Sequence, residues 1–158
     1  MMKTDLSAGD IMTKNVLMAY EGWSIKRLSQ FLIKNKISGV PVIASDHSLV
    51  GVVTLSDVVK FESKSQAEKS ELLNEVYAEF VGRQYDDDLQ AQMMSKAGEN
   101  CTVNQIMTKH VVQVDVATSF QEVAYIMLQN GIRRVFVTKN SLMCGVISGS
   151  NILTAIAK

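Results

Sequence analysis

The segment Ile11–Val16, with the sequence IMTKNV, recurs 95 residues further along the chain as Ile106–Val111, with the sequence IMTKHV. Later matches keep the same order, and the identical pairs are Ser24 and Ser119, Asn35 and Asn130, Ile37 and Ile132, Val40 and Val135, and Val42 and Val137. After a loop that is one residue shorter in the second copy, Gly51–Asp57 (GVVTLSD) matches Gly145–Asn151 (GVISGSN). Matches that stay in order over a whole unit indicate an internal duplication. The sequence therefore predicts two related domains, at residues 8–61 and 102–158, on either side of a middle segment at 62–101.

Each copy has the apolar pattern of a small unit that combines strands with two helices. Ser24 and Ser119 are predicted to cap the first helix of each copy, which should end near Lys36 and Gly131. The apolar residues of this helix in the first copy are spaced three and four apart, at Ile25, Leu28, Phe31 and Leu32. Short runs that favour strands lie at 16–19, 40–43 and 49–53, and again at 111–114, 135–138 and 143–147. A closing helix is predicted after the last run of each copy.

The predicted fold is a mixed α/β (α+β) fold built from two β-α-β-β-α units. A unit of about fifty residues has only a thin core of its own, because small domains bury a small fraction of their surface. Two such units can share one core. We therefore expect the copies to pack sheet to sheet around a pseudo-twofold axis.

Composition excludes several classes of function. The 158 residues carry 16 basic and 16 acidic side chains, and a balanced charge argues against a protein that holds nucleic acid through its phosphates. The two Cys and two His residues match no zinc-ligand spacing, so we expect no metal. The apolar runs are shorter than the roughly 20 residues of a membrane span, and no secretory signal is visible. A cytoplasmic protein without membrane or nucleic-acid partners is expected.

The repeated glycine-containing segments Gly51–Asp57 and Gly145–Asn151 place hydroxyl side chains where a strand ends and a helix begins. The N-terminus of a helix can hold an anion, since its N–H groups are unpaired and its dipole is positive there. Asp57 could accept the two hydroxyls of a ribose. However, Thr or Ser followed by Asp is also a common helix cap, and the sequence leaves both interpretations open.

The chain resembles a tandem of CBS domains, named after cystathionine β-synthase, a pair of which is called a Bateman module. The segments that carry the resemblance are Ile11–Thr13 and Ile106–Thr108, Ile37–Val42 and Ile132–Val137, and the two glycine-containing segments described above. The resemblance implies two clefts between the copies that bind adenosyl ligands: AMP, ADP, ATP, or S-adenosylmethionine. It also implies a homodimer and no resident cofactor.

Carried over from the family, one cleft would combine residues of both copies, namely Thr54, Ser56 and Asp57 with Val111, Ile132, Arg133 and Arg134. The other would use Ser148, Ser150 and Asn151 with Val16, Ile37 and Ser38. The first cleft is expected to bind a nucleotide more strongly, because it has a carboxylate and two guanidinium groups, and charge-assisted bonds are about twice as strong as neutral ones. Adjacent arginines at a strand start can equally well be ordinary solvated surface residues.

The middle segment 62–101 is acidic and is not explained by the family. A helix is predicted over Gln66–Phe80, with an apolar face formed by Leu72, Leu73, Val76, Tyr77 and Phe80. A shorter helix is predicted over Leu89–Lys96, and Asp86–Asp88 are expected in a solvated turn or at a helix N-terminus. The apolar face could pack on the module itself, on a second copy, or on a target protein.

The function expected from these features is a regulatory module that senses an adenosyl ligand and signals to a partner protein in trans. The alternative is a structural or interaction module whose clefts no longer bind ligands and which acts through the middle helix. No nucleophile–base pair and no P-loop are visible, so the chain is not expected to be an enzyme.

Overall fold

The computed structural model describes residues 5–72 and 100–157, which form short helices and two three-stranded sheets. The elements of the first copy are α1 (Ala8–Ile11), β1 (Ala19–Tyr20), α2 (Ile25–Asn35), β2 (Gly39–Ile43), β3 (Leu49–Thr54) and α3 (Leu55–Glu62). Those of the second copy are α4 (Val103–Ile106), β4 (Gln113–Asp115), α5 (Phe120–Asn130), β5 (Arg134–Lys139), β6 (Leu142–Ser148) and α6 (Gly149–Ala157). The predicted mixed α/β fold with two β-α-β-β-α units is confirmed, and one helical turn precedes each unit.

The two sheets have the same strand order, β1-β2-β3 and β4-β5-β6. In the second sheet β4 runs parallel to β5, and β5 runs antiparallel to β6. This antiparallel register places Arg134, the first residue of β5, directly opposite Ser148, the last residue of β6. The end of the hairpin next to α6 is therefore also the place where β5 begins.

The first strand of each copy begins later than predicted. β1 begins at Ala19 rather than Val16, and β4 begins at Gln113 rather than Val111. In the first copy the chain turns just before the predicted strand, because Asn15 has a φ of 58° in the left-handed region.

The ends of the first long helix in each copy agree with the predictions. Ser24 Oγ accepts a hydrogen bond from the N–H of Arg27 at 3.0 Å, and Ser119 Oγ accepts one from the N–H of Glu122 at 3.2 Å. At their C-terminal ends both helices pass into a left-handed residue; these residues are Lys36, with φ 54°, and Gly131, with φ 61°. Local sequence therefore determines both ends of α2 and of α5.

The chain forms two compact units that do not follow the boundaries of the copies. The C-terminal unit contains the N-terminal residues to Met18, Ile43–Val50 and the residues from His110 onwards. The central unit contains Ala19–Val42 and Gly51–Lys109. The short helix that precedes each copy thus belongs to the unit that holds most of the other copy. How the two copies pack sheet to sheet stays a prediction.

Backbone hydrogen bonds hold the N-terminal segment in the C-terminal unit. The N–H of Ala8 donates to the carbonyl oxygen of Thr118 at 2.6 Å. Thr13 and Val146 exchange two N–H···O bonds, of 2.8 and 3.1 Å. These bonds extend β6 by a short antiparallel contact with residues that lie more than a hundred positions earlier in the chain.

The central unit has the equivalent backbone bonds, between the segment that contains α4 and the first copy. The N–H of Val103 donates to the carbonyl oxygen of Trp23 at 2.9 Å, and Val52 and Thr108 exchange two bonds of 2.9 Å. The same set of backbone bonds therefore builds both units, as expected of a duplicated sequence.

Two glycines in the repeated segments are required by this close approach. A Cβ atom on Gly145 would lie 2.6 Å from Sδ of Met12 and 2.8 Å from the carbonyl oxygen of Thr13. At Gly51 the corresponding distances, to Sδ of Met107 and to the next carbonyl oxygen, are 2.7 and 2.8 Å. The glycines allow the preceding segment to lie against the last strand.

Each unit has an apolar core. In the C-terminal unit the core residues are Ala8, Val114, Val123, Met127, Val135, Val137 and Ile147. In the central unit the most deeply buried residues include Ala19, Ile25, Leu28, Val42, Val53, Phe61 and Val103. Both lists include a residue of the short preceding helix, so α1 and α4 are parts of the cores.

The first turns of the middle segment pack on the central unit. Residues 66–72 are helical, beginning where the sequence predicts, and Ser65 caps them through its hydrogen bonds with Glu68. Gln105 Nε2 of α4 donates to the carbonyl oxygen of Leu72 at 2.7 Å, and Lys69 lies 4.0 Å from Glu62 of α3. The predictions for Leu73, Val76, Tyr77, Phe80, Asp86–Asp88 and Leu89–Lys96 lie outside the described residues.

Over residues 5–72 and 100–157, no helix combines the length and the apolar character needed to cross a membrane. Over the same residues, no three His, Cys, Asp or Glu side chains are grouped as a metal site would require. The cytoplasmic location stays a prediction.

Candidate functional site

In the central unit, Thr54 and Asp57 form a capping box at the start of α3. The N–H and Oγ1–H of Thr54 donate to Asp57 Oδ2 at 2.8 and 3.1 Å, and the N–H of Asp57 donates to Thr54 Oγ1 at 3.4 Å. The capping interpretation of this motif is therefore confirmed. Both bonds to the carboxylate reach Oδ2, and a carboxylate has about four acceptor positions. Capping therefore leaves Oδ1 of Asp57 able to accept the hydroxyls of a ligand.

In the C-terminal unit, Asn151 takes the place of the aspartate and makes additional bonds. The N–H and Oγ–H of Ser148 donate to Asn151 Oδ1 at 2.9 and 2.8 Å. Asn151 Nδ2 donates to the carbonyl oxygen of Ile11 at 2.7 Å and to Oγ1 of Thr13 at 3.2 Å. A side-chain amide has two acceptor positions and two donor hydrogens. The protein itself therefore uses the whole hydrogen-bonding capacity of Asn151.

The central unit has a cavity of about 610 Å³ at the start of α3, which we call the lysine cavity. Its lining residues are Ser38, Thr54, Leu55, Ser56, Val59 and Lys60. The N–H of Leu55 donates to the carbonyl oxygen of Ser38 at 2.7 Å, which brings the residue before β2 next to the start of α3. This cavity offers three hydroxyls and one cation, the ammonium group of Lys60.

The C-terminal unit has a cavity of about 640 Å³ between α5, the start of β5 and the start of α6, which we call the arginine cavity. Its lining residues are Ala124, Met127, Leu128, Ile132, Arg133, Arg134, Ser148, Gly149, Ser150, Ile152 and Leu153. Both arginines are exposed at its edge. One side of the cavity is thus cationic and carries hydroxyls, and the other is apolar.

A second cavity of the C-terminal unit, of about 490 Å³, lies on the side of the N-terminal segment, and we call it the threonine cavity. Its lining residues are Leu6, Asp10, Ile11, Thr13, Ser148, Ser150, Asn151, Thr154 and Ala155. It shares Ser148 and Ser150 with the arginine cavity. The backbone N–H and the hydroxyl of Ser7 donate to Asp10 and hold the pKa of its carboxyl below the ordinary value. Asp10 is therefore an anion at neutral pH.

Arg133 and Arg134 line a cavity of their own unit with Ser148 and the start of α6. The physical reason is the register of the β5–β6 hairpin, which pairs Arg134 with Ser148. A hairpin brings the start of its first strand to the end of its second strand within one copy. The predicted place of the two arginines in the cleft of Thr54 and Asp57 stays a prediction.

Of the other predicted residues, some line one of these cavities and some do not. Val16 and Val111 are half-buried in the C-terminal unit and line neither of its two cavities. Ile37 is half-buried in the central unit, where its N–H donates to the carbonyl oxygen of Leu32 at 3.1 Å, and it does not line the lysine cavity. Ile132 lines the arginine cavity, and Ser38 lines the lysine cavity.

Thr13, Asp10, Thr154 and Lys60 also line a cavity, although they were not predicted as site residues. Thr13 is in the repeated IMT segment, so its repetition was a signal that could have identified it. Asp10, Thr154 and Lys60 carry no comparable signal, because their places depend on how the segments come together in space.

The fold is similar to that of several solved structures. CBSX2 from Arabidopsis thaliana has a TM-score of 0.66 and 21% identity, with 96% of this chain and 94% of that chain covered. A structure described as CBSX2 in complex with AMP has a TM-score of 0.65 and 22% identity, with 95% of each chain covered.

Among curated proteins, the chain is 28% identical over 148 residues to a homoserine O-acetyltransferase of Methanococcus vannielii. It is 26% identical over 152 residues to the chloroplastic CBS domain-containing protein CBSX1 of Arabidopsis thaliana. These matches cover 93% and 94% of this chain, but only 24% of the acetyltransferase and 63% of CBSX1. The chain thus spans about a quarter of the length of the acetyltransferase and less than two thirds of the length of CBSX1.

The CBS domain family matches the chain at residues 8–64 and 103–158. The two matched segments coincide with the two β-α-β-β-α units and leave the middle segment outside. The chain belongs to the CBS domain family and contains two tandem CBS domains.

Proposed function

We propose that the chain is a regulatory module that binds an adenosyl ligand and passes the bound state to a partner protein. The observation that supports this most strongly is the pairing of Arg134 with Ser148, which brings two arginines to the start of α6. Arg133, Arg134, Ser148 and Ser150 together form the anion-binding part of the proposed site. The chain itself performs no catalysis in this proposal.

The chemistry of the arginine cavity suits a ligand with an apolar ring and an anionic group. Guanidinium groups bind phosphate through charge-assisted, frequently bidentate hydrogen bonds, and hydroxyls supply further donors. The apolar wall offers Ile132 and Ile152 to an adenine ring. Two cations at the edge favour AMP, ADP or ATP over S-adenosylmethionine, whose sulfonium group is itself positive.

The lysine cavity of the central unit is proposed as the weaker phosphate site. It has one cation, Lys60, in place of two arginines, and Ser38 at the position equivalent to Arg133. This proposed order of strength differs from the order expected from sequence, because the proposal combines the arginines with Ser148 and Ser150 of their own copy.

The relatives give independent support to the ligand class. CBSX2 of similar fold has been solved with AMP, and the shared fold makes an adenine nucleotide the natural first ligand to test. The relatives named as enzymes match over a small share of their own length, which agrees with a regulatory role for the matched part.

The test is a titration of the purified protein with AMP, ADP, ATP, NAD and S-adenosylmethionine, followed by calorimetry and by thermal unfolding. A ligand at a hundred times its dissociation constant stabilises the fold by about 2.7 kcal/mol, which should raise the melting temperature by roughly 5–10 °C. We expect Arg134→Ala to weaken the binding of the active nucleotide at least about tenfold, since a hydrogen bond to a charged group contributes about 1.5–3 kcal/mol.

Lys139→Ala is the matched control, because Lys139 is the exposed cation at the other end of β5. It should leave binding unchanged. If Arg134→Ala and Lys139→Ala lose the same amount of nucleotide affinity, the overall charge of the surface, and not the proposed site, attracts the nucleotide. If no adenosyl compound binds at millimolar concentration, the proposal is wrong and the interaction module becomes the better hypothesis.

We also propose that the chain forms a homodimer through α5 and α6. Tyr125 and Leu128 of α5 and Leu153 and Ile156 of α6 are large apolar side chains that are between 48% and 80% exposed, and Leu128 and Leu153 line the same cavity. These two helices contain a single charged residue, Glu122. A surface with almost no charge can meet its own copy without like-charge repulsion, as an isologous contact requires.

A further inference from the structure

Asn151 joins two parts of the chain that are far apart in sequence. Its amide nitrogen donates to the carbonyl oxygen of Ile11 and to the hydroxyl of Thr13, which precede it by 140 and 138 residues. Its amide oxygen accepts two bonds from Ser148. Asn151 is half-buried and forms part of the wall of the threonine cavity.

We propose that Asn151 is a positioning residue, which holds Ile11 and Thr13 in place and thereby builds one wall of the threonine cavity. A ligand in this cavity meets Thr13 and Asp10 of that wall, not the amide of Asn151. The part of this inference that concerns the ligand rests on the proposed function, whereas the part that concerns the N-terminal segment does not.

The arrangement requires an amide and excludes a carboxylate. With the observed orientation, the oxygen of Asn151 faces the N–H and O–H donors of Ser148, and the nitrogen faces two acceptors on the N-terminal segment. An aspartate would keep the bonds to Ser148 but would place an anionic oxygen against the carbonyl oxygen of Ile11, 2.7 Å from the present donor. Two acceptors at that separation repel each other.

The central unit shows how a carboxylate behaves at the equivalent position. Asp57 keeps both bonds from Thr54 and, within the described residues, makes no bond to the segment that contains α4. That segment is held by the backbone pair of Val52 and Thr108 and by Gln105, whose side-chain amide donates to the carbonyl oxygen of Leu72 at 2.7 Å. The two hydrogen bonds from Asn151 Nδ2 to Ile11 and Thr13, which we call the Asn151 clasp, therefore occur only in the C-terminal unit among the described residues.

The clasp also determines what Thr13 can do. Because Thr13 Oγ1 accepts the hydrogen bond from Asn151, its own hydroxyl hydrogen is left to donate elsewhere. Thr13 is exposed and lines the threonine cavity together with the ionised Asp10. The wall thus presents a fixed donor and an anionic acceptor, a pair that suits the vicinal hydroxyls of a ribose.

Asn151→Asp distinguishes a direct contact between Asn151 and the ribose from a positioning role, because the two hypotheses predict opposite changes in AMP affinity. If Asn151 contacted the ribose directly, a carboxylate would be a stronger acceptor and AMP would bind equally well or more tightly. If Asn151 is a positioning residue, the N-terminal segment loses its side-chain clasp. AMP should then bind about tenfold more weakly, the equivalent of one lost hydrogen bond.

Amide hydrogen exchange measures the clasp without any ligand. In Asn151→Asp we expect faster exchange at Ala8, Met12 and Thr13, whose N–H groups bond across or within this segment, and unchanged exchange in α2. Asp57→Asn is the matched control, and it should leave the exchange of residues 8–13 as in the unchanged protein. Unaltered exchange of residues 8–13 in Asn151→Asp would overturn the proposal.

The pH dependence gives a readout that simple loss of packing would not produce. A carboxyl at position 151 can donate one hydrogen bond to Ile11 once it is protonated, so the loss of melting temperature should be smaller at about pH 3.5, below the ordinary pKa of aspartate, than at about pH 8. Asp10 is the titratable residue in the lining of the threonine cavity, and it is present in both proteins. A loss that is the same at both pH values would contradict the clasp.

Thr13→Val provides a second variant in case Asn151→Asp does not fold. It keeps the amide of Asn151 bonded to Ile11 but removes the hydroxyl that faces the cavity. We expect this variant to bind AMP several-fold more weakly, with near-normal amide exchange at Ala8. Unchanged AMP binding would overturn the claim that this wall of the threonine cavity contacts the ligand. If AMP fails to bind the unchanged protein, the proposed function is wrong, while the exchange and pH results still decide the role of Asn151.

Discussion

At the scale of single residues, Gly145 and Gly149 lie four positions apart in one repeated segment but meet different surroundings. A Cβ on Gly145 would approach the backbone oxygen of Thr13 to 2.8 Å, whereas a Cβ on Gly149 would meet no atom within 4 Å. The first glycine is therefore required by the contact between β6 and the N-terminal segment. The second is a helix residue with open space around it, where alanine is acceptable.

We expect Gly145→Ala to reduce the free energy of unfolding by about 1–3 kcal/mol, the usual range for overpacking against atoms that cannot move freely. Gly149→Ala is the control, and it should be neutral or slightly stabilising because alanine favours helix. Thermal and urea unfolding of both variants measure the difference. If Gly145→Ala and Gly149→Ala lose similar amounts of unfolding free energy, the close approach at Gly145 does not limit stability.

At the scale of elements, the sequence predicted helices and strands well because their signals are local. Ser24, Ser119 and Gly131 each determine an end of a helix through bonds within a few residues. The grouping of Arg133 and Arg134 with Ser148 was missed, since it depends on the hairpin register and not on the residues around each position. The exchange of α1 and α4 between the copies was missed for the same reason, because its bonds span about a hundred residues.

The C-terminal end of α2 offers a test at this scale. Lys36 occupies the left-handed position that Gly131 occupies in the second copy, with φ 54° and ψ 43°. This conformation costs a residue with a Cβ about 1–2 kcal/mol, so Lys36→Gly should stabilise the protein by up to about 1 kcal/mol.

Lys34→Gly, in the last turn of the same helix, is the control for this prediction. Glycine inside a helix costs about 1 kcal/mol, so this variant should melt at a lower temperature than the unchanged protein. A Lys36→Gly variant that is also less stable would show that the lysine side chain contributes more than the strain of its backbone.

At the scale of the whole molecule, the two copies differ most in the surfaces of their helices. α2 and α3 carry Lys26, Arg27, Lys34, Asp57, Lys60 and Glu62, whereas α5 and α6 carry only Glu122. The two helix pairs therefore have similar folds but different surfaces, one charged and the other nearly neutral. The neutral pair is where the proposed homodimer contact lies.

The double variant Tyr125→Glu with Ile156→Glu should therefore be a monomer if the unchanged protein is a dimer. Both residues are exposed and lie outside the lining of the arginine cavity, so the ligand site keeps its residues. Ile33→Glu with Val59→Glu, which changes two exposed apolar residues of the central unit, is the control and should stay dimeric. Light scattering after size-exclusion chromatography gives the mass in each case, and a dimer that persists in the first variant would contradict the proposed surface.

The exchange of the short helices has a consequence for how the chain is made. The central unit draws on residues up to 109, all of which precede β4, β5 and β6 in the chain. α1 is translated before every residue that it binds in the C-terminal unit, and its first backbone partners, Val116 and Thr118, emerge from the ribosome about a hundred residues later. During that interval α1 has no strand to pack on, so the order of folding differs from the order of translation.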